Sequence, residues 1–270
     1  MLTRRSFFQR LLANREAREF LMNSLAVGEA DSAVDLDRIA EHVQDEALSR
    51  RIYRHHAEEK RHARLFGKRL VELGFTPHPL PPELDYERYV QRFGMGTPKA
   101  RIDDPRPFDE DDLILFFSGS KAGEERACAE MEGLIEALAE DPATVTVLRT
   151  IHGDEVRHVS YATEELHRIA ARGQRTKVLR MLRAARRAEA RAHRQVRHAF
   201  MRHLMQMLKY PRIVQLLAGL GIDVAFALRW LFPGGLDQPI IANAMPTPAD
   251  RFSAPPSSAA ESLTTAEMGR

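Results

Sequence analysis

Apolar residues recur along this 270-residue chain at intervals of three and four, and no alternating run is long enough for a sheet strand. The pattern predicts a first helix from residue 6 or 15 to about 31. A short connection over 33–37 and a second helix over 37–73 follow, the latter stopping at Gly74. Pro77, Pro79, Pro81, Pro82, Pro98, Pro105 and Pro107 exclude a continuous helix over 75–111, because proline has no amide hydrogen to donate and crowds the preceding turn. A third helix is predicted over 111–139, a turn at Asp141-Pro142, and a fourth helix over 143–171, ending before Gly173. A basic helix over 176–209 and an apolar helix over 211–232 come next, and the Pro-, Ser-, Ala- and Thr-rich tail from Pro246 is expected to be disordered. The expected organisation is a helical unit over 1–171, two further helices over 172–244, and a tail over 245–270. The first four helices group as two hairpins joined by one long crossover.

The same five-residue pattern, acid-Glu-x-Arg-His, stands in two of these helices: Glu58-Glu59-Lys60-Arg61-His62 and Asp154-Glu155-Val156-Arg157-His158. In each, the Glu and His are i and i+3, and both fall on the stripe expected to face inward. The second helix runs Leu48, Ile52, His55, Glu59, His62, Phe66, Leu73, and the fourth Leu148, Ile151, Glu155, His158, Ala162. The third carries Glu124 within Leu113, Phe117, Ser120, Ala127, Met131, Ile135 and Leu138, and the first sets Glu29 after Met22, Leu25 and Ala26. Glu124 is preferred to Glu125 because of the stripe, and because Gly123-Glu124 matches Gly28-Glu29.

Burying a lone carboxylate costs several kcal/mol, and four on facing stripes repel one another. Two cations remove both problems. A single Glu from each of two helices with a Glu-x-x-His from each of the other two is a dinuclear ligand set. The chain supplies it as Glu29, Glu59, His62, Glu124, Glu155 and His158, each single Glu standing thirty or thirty-one residues before its Glu-x-x-His. Oxygen and imidazole donors without sulfur suit two iron ions, with manganese or a mixed pair as alternatives. Glu58 and Asp154 each precede a ligand Glu, and each is placed to accept the N–H of the opposite hairpin's histidine, with Arg61 and Arg157 as their partners.

On these residues the chain resembles the ferritin-like di-iron carboxylate superfamily over about residues 15–171. Its rubrerythrin and di-iron oxygenase members carry a Glu followed by Glu-x-x-His twice, frequently as Asp-Glu-x-Arg-His. The stretch GEERACAEM leading to GDEVRH is also loosely similar to the tRNA-hydroxylase branch. The resemblance implies an all-α fold: a ferritin-like four-helix bundle with one long crossover, plus two C-terminal helices. It implies a non-haem oxidoreductase that activates dioxygen or peroxide to oxidise a small-molecule or carrier-bound substrate, with an apolar one favoured by the C-terminal helix. Ferroxidase or peroxide-detoxifying chemistry without an organic substrate is the first alternative, and a scaffold that binds an anionic partner the second. The second Glu-x-x-His disfavours iron storage. The single cysteine, Cys128, cannot build a rubredoxin module, so electrons are expected from an external donor.

Other polar residues read as structure. His55, one turn before Glu59, is expected to be a satisfied core histidine, with a donor to the metal-ligating residues or a proton relay as the alternatives; Tyr161, i+3 from His158, is expected to pack, with a redox-active phenol near the metals as the alternative. Cys128 is expected to be a buried free thiol, and His42, His56 and His152 to be exposed. The single cysteine excludes a disulfide framework and makes a reducing, cytoplasmic setting the default. Thr3-Arg4-Arg5-Ser6-Phe7 resembles a twin-arginine export signal, but charged residues follow where an apolar run is required, so a basic first helical turn is expected.

Net charge is only +2, yet residues 172–209 carry twelve Lys and Arg against one acid, Glu189. An apolar face of Val178, Leu182, Ala185, Val196, Phe200 and Leu204 favours an outer helix docked on the bundle, while the charge leaves an anionic membrane surface, an acidic carrier or RNA as alternative partners. The apolar helix is interrupted by Gln215, Asp223 and Arg229, so packing on the bundle is preferred to a peripheral membrane position, and spanning is disfavoured.

Overall fold

A computed structural model describes residues 4–231, so the predicted tail lies outside the described residues. Every regular element among the described residues is helical: α1 Arg4–Ala13, α2 Arg15–Ser32, α3 Leu36–His42, α4 Glu46–Glu72, α5 Tyr86–Arg92, α6 Lys99–Ile102, α7 Glu110–Ala137, α8 Pro142–Ile169, α9 Arg175–Met207 and α10 Arg212–Leu231.

Local chemistry explains where helices start and stop. The first predicted helix is two, because Asn14 leaves the helical region and its side chain accepts from the Ala17 N–H, capping α2. The predicted second helix is also two. Val43 is extended, and the Asp45 carboxylate accepts from the Ala47 and Leu48 amides, so α4 restarts there. Asp109 and Asp112 form a reciprocal capping box at the start of α7. The proline-rich crossover is less irregular than expected, since α5 and α6 fold within it and bury Val90 and Ile102. Gly173, at φ 102, lets a short π-turn pass α8 directly into α9. The first helix begins at Arg4, the basic first turn expected of that segment.

Two hairpins, α2–α4 and α7–α8, pack against each other, with α4 lying along α8. Asp141, which caps α8 through Thr144, ties them at one end. Its carboxylate accepts from Arg18 of α2 at 2.7 Å and from Arg69 of α4 at 2.9 Å. The start of α2 and the end of α4 therefore share one end of the molecule, as antiparallel neighbours must. Apolar core fills both ends. Phe20, Phe66, Leu70, Met131, Leu148 and Ile151 belong to one cluster, and Ile52, Ile114, Phe117, Ala162, Leu166 and Val178 to the other. On α4, α7 and α8 the predicted acids and histidines sit between those clusters, and on α2 Glu29 follows Ala26 of the first.

The seam predicted for α4 is buried, except that Leu70 takes the place of half-exposed Leu73. α7 differs more from expectation. It lies between α8 and α9, so it buries more than one face, including Lys121 at 1% exposure. α9 covers α7 and α8, and α10 packs along α9.

Candidate metal centre

Four helices deliver side chains to one polar layer. α2 brings Glu29, α4 brings His55, Glu59 and His62, α7 brings Glu124, and α8 brings Glu155 and His158. They fall into two groups whose ligand atoms lie within 4.8 Å of one another: His55, Glu59, Glu124 and His158, and Glu29, Glu59, His62 and Glu155. Glu59 belongs to both. All six residues singled out by spacing are brought together here. Glu125 is not among them, because it turns to Lys121 at 2.9 Å and Arg186 at 3.2 Å.

His62 and His158 both present Nδ1 to the interior. His62 Nδ1 lies 3.1 Å from Glu155 and 3.4 Å from Glu29; His158 Nδ1 lies 3.2 Å from Glu59 and 3.3 Å from Glu155. Their outward nitrogens cross the bundle as the sequence pattern proposes. His62 Nε2 meets Asp154 at 2.9 Å, and His158 Nε2 meets Glu58 at 2.9 Å. Arg61 and Arg157 both close on Asp154, and Arg157 also reaches Glu58 at 3.2 Å.

His55 does more than fill the core. Its Nδ1 lies 2.7 Å from the Tyr161 hydroxyl, while Nε2 points inward, 3.2 Å from both Glu59 and Glu124. Its ring lies against that of His158, with centroids 3.8 Å apart. Its place on the α4 seam, one turn before Glu59, was the available signal. Periodicity could not separate an imidazole of the polar layer from an ordinary core histidine. Tyr161 is buried against Phe117 and His55, with Arg51 over its ring.

The charges of the layer are strongly perturbed. Burial pushes Glu29 up to about 8 and, together with the Glu155 charge, pushes Glu124 up to about 7. Burial acts in the same direction on Glu155, yet His158 and His62 overcome it and hold this carboxylate down to about 2. Glu59 is likewise held well below the usual range by the three imidazoles, against the effect of burial. His62 and His158 rise to about 11 although burial opposes their charge, because carboxylates surround them. Protons thus supply the positive charge that four clustered carboxylates require.

Two buried atoms in the layer, Glu59 Oε1 and His62 Nδ1, make no hydrogen bond despite their close neighbours. Inward oxygen and nitrogen atoms of this kind fit a cation as partner. So does the donor chemistry, since four carboxylates balance two divalent ions and imidazole completes a set free of sulfur. Cys128 joins neither group. It is half-buried rather than buried, and burial with the nearby Glu155 and Glu124 charges pushes its thiol up to about 12. His42, His56 and His152 also stand outside the layer and are half-buried rather than exposed. His42 bonds the Ile102 carbonyl at 2.8 Å, His56 the Ala33 carbonyl at 3.0 Å, and His152 approaches Glu132 at 3.4 Å.

Three buried charges escaped the sequence reading: Lys121, Glu165 and Glu189, the last beside Arg126. Lys121 donates to Thr163 at 2.7 Å, and Glu165 accepts from Arg51 at 2.9 Å. Lys121 stands four residues before Glu125, the one local hint of its partner. Comparison with known proteins finds no matching family model, no similar curated protein and no similar solved structure.

Proposed function

We propose that this protein is a dinuclear metal oxidoreductase of ferritin-like architecture, in which the two hairpins hold a pair of iron or manganese ions that activate dioxygen or peroxide. The observation that carries the reading is the pair of ligand groups, seven buried or half-buried side chains from four helices with Glu59 common to both. An ordinary ion-pair network does not require two four-residue groups whose ligand atoms all lie within 4.8 Å of one another.

One ion would be held by His55, Glu59, Glu124 and His158, and the other by Glu29, Glu59, His62 and Glu155. Such ions supply the redox chemistry and the Lewis acidity that carboxylates and imidazoles lack. The protein's role is to set protons and keep water out. If His62 and His158 held metal through Nδ1, the proton would stay on Nε2, where Asp154 and Glu58 stand to accept its hydrogen bond and fix each ring. If His55 held metal through Nε2, the proton would stay on Nδ1 and be donated to the Tyr161 hydroxyl oxygen. The apolar clusters above and below the layer exclude bulk water, which strengthens every charge interaction between them. Loading must expel the protons that now hold the layer together, so metal affinity rises with pH.

Metal analysis of protein loaded with iron and freed of excess tests the reading, with about two ions per chain expected. Folded protein that retains none would exclude it. Oxygen consumption with a reductant, measured with and without organic substrates, then separates substrate oxidation from ferroxidase chemistry.

A further inference from the structure

The outer surface of α10 is unlike the rest of the molecule. Ile213, Leu216, Leu217, Leu220, Val224 and Leu228 are exposed by 48% to 70%, and they repeat at helical spacing along one outward stripe. Elsewhere among the described residues the exposed large apolar side chains are single: Val34, Tyr53, Val71 and Val156. A continuous outward stripe of six calls for an explanation that scattered residues do not.

Its charge surroundings narrow the occupant. Residues 172–231 carry fourteen Lys and Arg against two acids, whereas residues 1–171 carry twenty-four against thirty-two. Both acids within residues 172–231 are paired with basic side chains of the molecule itself. Glu189 is buried beside Arg126, and Asp223 turns back onto α9 to meet Arg194 and His198, each at 2.7 Å. Arg212 and Lys209 stand exposed at the start of the stripe, and Arg180, Arg183, Arg187, Arg191 and Arg202 are exposed along α9. Between α9 and α10 lies an open cleft of about 360 Å³, walled by Met201, Ile222 and Phe226 and edged by the exposed Arg197.

From this combination we infer that α10 and the outer face of α9 dock on the surface of an anionic lipid bilayer, α10 lying in the interface with its aliphatic stripe among the acyl chains and the arginines at the headgroups. An amphipathic helix with cationic flanks binds a bilayer through buried apolar area and attraction to anionic lipid together. α10 does not cross it: no helix among the described residues is long and apolar enough to span a membrane. A second copy fits the face poorly, because a twofold contact would set one arginine row against another, and the one described acid of α10, Asp223, is already paired with Arg194 and His198. RNA would use the arginines but leave the aliphatic stripe in water.

The inference stands apart from the metal centre, and metal content is read on every sample. Full-length iron-loaded protein is sedimented with large unilamellar vesicles of phosphatidylcholine alone or with phosphatidylglycerol added, at low and high salt. Expected is selective pelleting with the anionic vesicles, weakened by salt. The combined Leu216→Ser, Leu217→Ser, Leu220→Ser variant is expected to lose at least about tenfold in partitioning. Arg183→Gln with Arg202→Gln is expected to lose about 30-fold at low salt. Both variants should keep wild-type helicity and metal content, since all five side chains are exposed. Failure of wild-type protein to pellet with anionic vesicles overturns the inference, as does pelleting that ignores lipid charge and both variants. Self-association abolished by the serine variant, without vesicle binding, overturns it in favour of a second copy, and retention on RNA without vesicle binding in favour of nucleic acid.

Discussion

The two halves of the candidate metal centre are near copies, and their differences are as informative as their likeness. Glu29 and Glu124 follow glycine on α2 and α7; Glu59 with His62 and Glu155 with His158 repeat on α4 and α8. The outer carboxylates exchange across the bundle, Asp154 to the first hairpin's histidine and Glu58 to the second's. The copies diverge a single turn upstream. Where α4 has His55, α8 has Ile151, fully buried in the apolar core. One ligand group therefore has two imidazoles and two carboxylates, the other one imidazole and three carboxylates. Repetition builds the frame, and the change from Ile151 to His55 at the matching position makes the two groups unequal. The outer partners are unequal as well: Asp154 is buried under two arginines, while Glu58 is more open and meets Arg157 alone.

The harshest test of that arrangement is Glu59→Ala, which removes the side chain common to both groups. Metal content should fall from about two ions per chain to well under one, with helicity by circular dichroism unchanged because the apolar clusters persist. Global unfolding would mean that the layer is needed for the fold itself. A narrower change, His55→Ile, copies Ile151 into the first hairpin and symmetrises the centre. Titration with limiting iron should then show one position filled as in wild type and the other greatly weakened. Two unchanged positions would return His55 to a packing role.

Asp154→Asn and Glu58→Gln compare the outer partners. Each should weaken metal binding by about 10–100-fold through its histidine, and Asp154→Asn should weaken it more, because that carboxylate is the more buried. Wild-type affinity in both variants would remove the role assigned to these acids and leave the inner groups intact.

The smallest effect lies away from the layer, at the clamp that keeps the hairpins in register. Asp141→Ala removes the cap of α8 and the partner of Arg18 and Arg69, and should cost about 2 kcal/mol in denaturant unfolding with metal content retained. Although burial acts to raise it, the Thr144 hydroxyl and amide and the two arginines hold Asp141 down to about 2. Between that value and the ordinary aspartate value near 4, the unfolded chain binds the extra proton. The stabilisation from Asp141 is therefore complete above about pH 4 and is lost as pH falls toward 2. Wild type and Asp141→Ala should converge in stability across that window, and a gap that stayed constant would point to a packing effect instead.

Much of this was legible in the order of residues. Long helices write their inward face at intervals of three and four, so Leu48, Ile52, Glu59, His62 and Phe66 could be assigned to one seam before any fold was known. The proline cluster placed the crossover, although its short helices α5 and α6, held by burial of Val90 and Ile102, left no comparable period. The break at Val43-Gln44-Asp45 was missed because apolar spacing continues across it; only the Asp45 cap marks the restart of α4. Lys121 was missed because a helix covered by two neighbours buries positions that a single-stripe reading sends to solvent.

The sequence by itself determined the long helices, their grouping as two hairpins and six of the residues that meet in the layer, because a helix of 3.6 residues per turn fixes which side chains share a face without reference to any neighbour. It also fixed the uneven charge of the chain. Only the tertiary structure decided what stands opposite each face: that Glu59 is common to two groups, that His55 turns one nitrogen inward and the other to Tyr161, that Asp154 and Glu58 reach the opposite hairpin's histidines. It also decided that α10 keeps its aliphatic stripe outward while its one described acid turns to α9. Those facts depend on how helices are placed against one another, and periodicity within a helix carries no information about its partner.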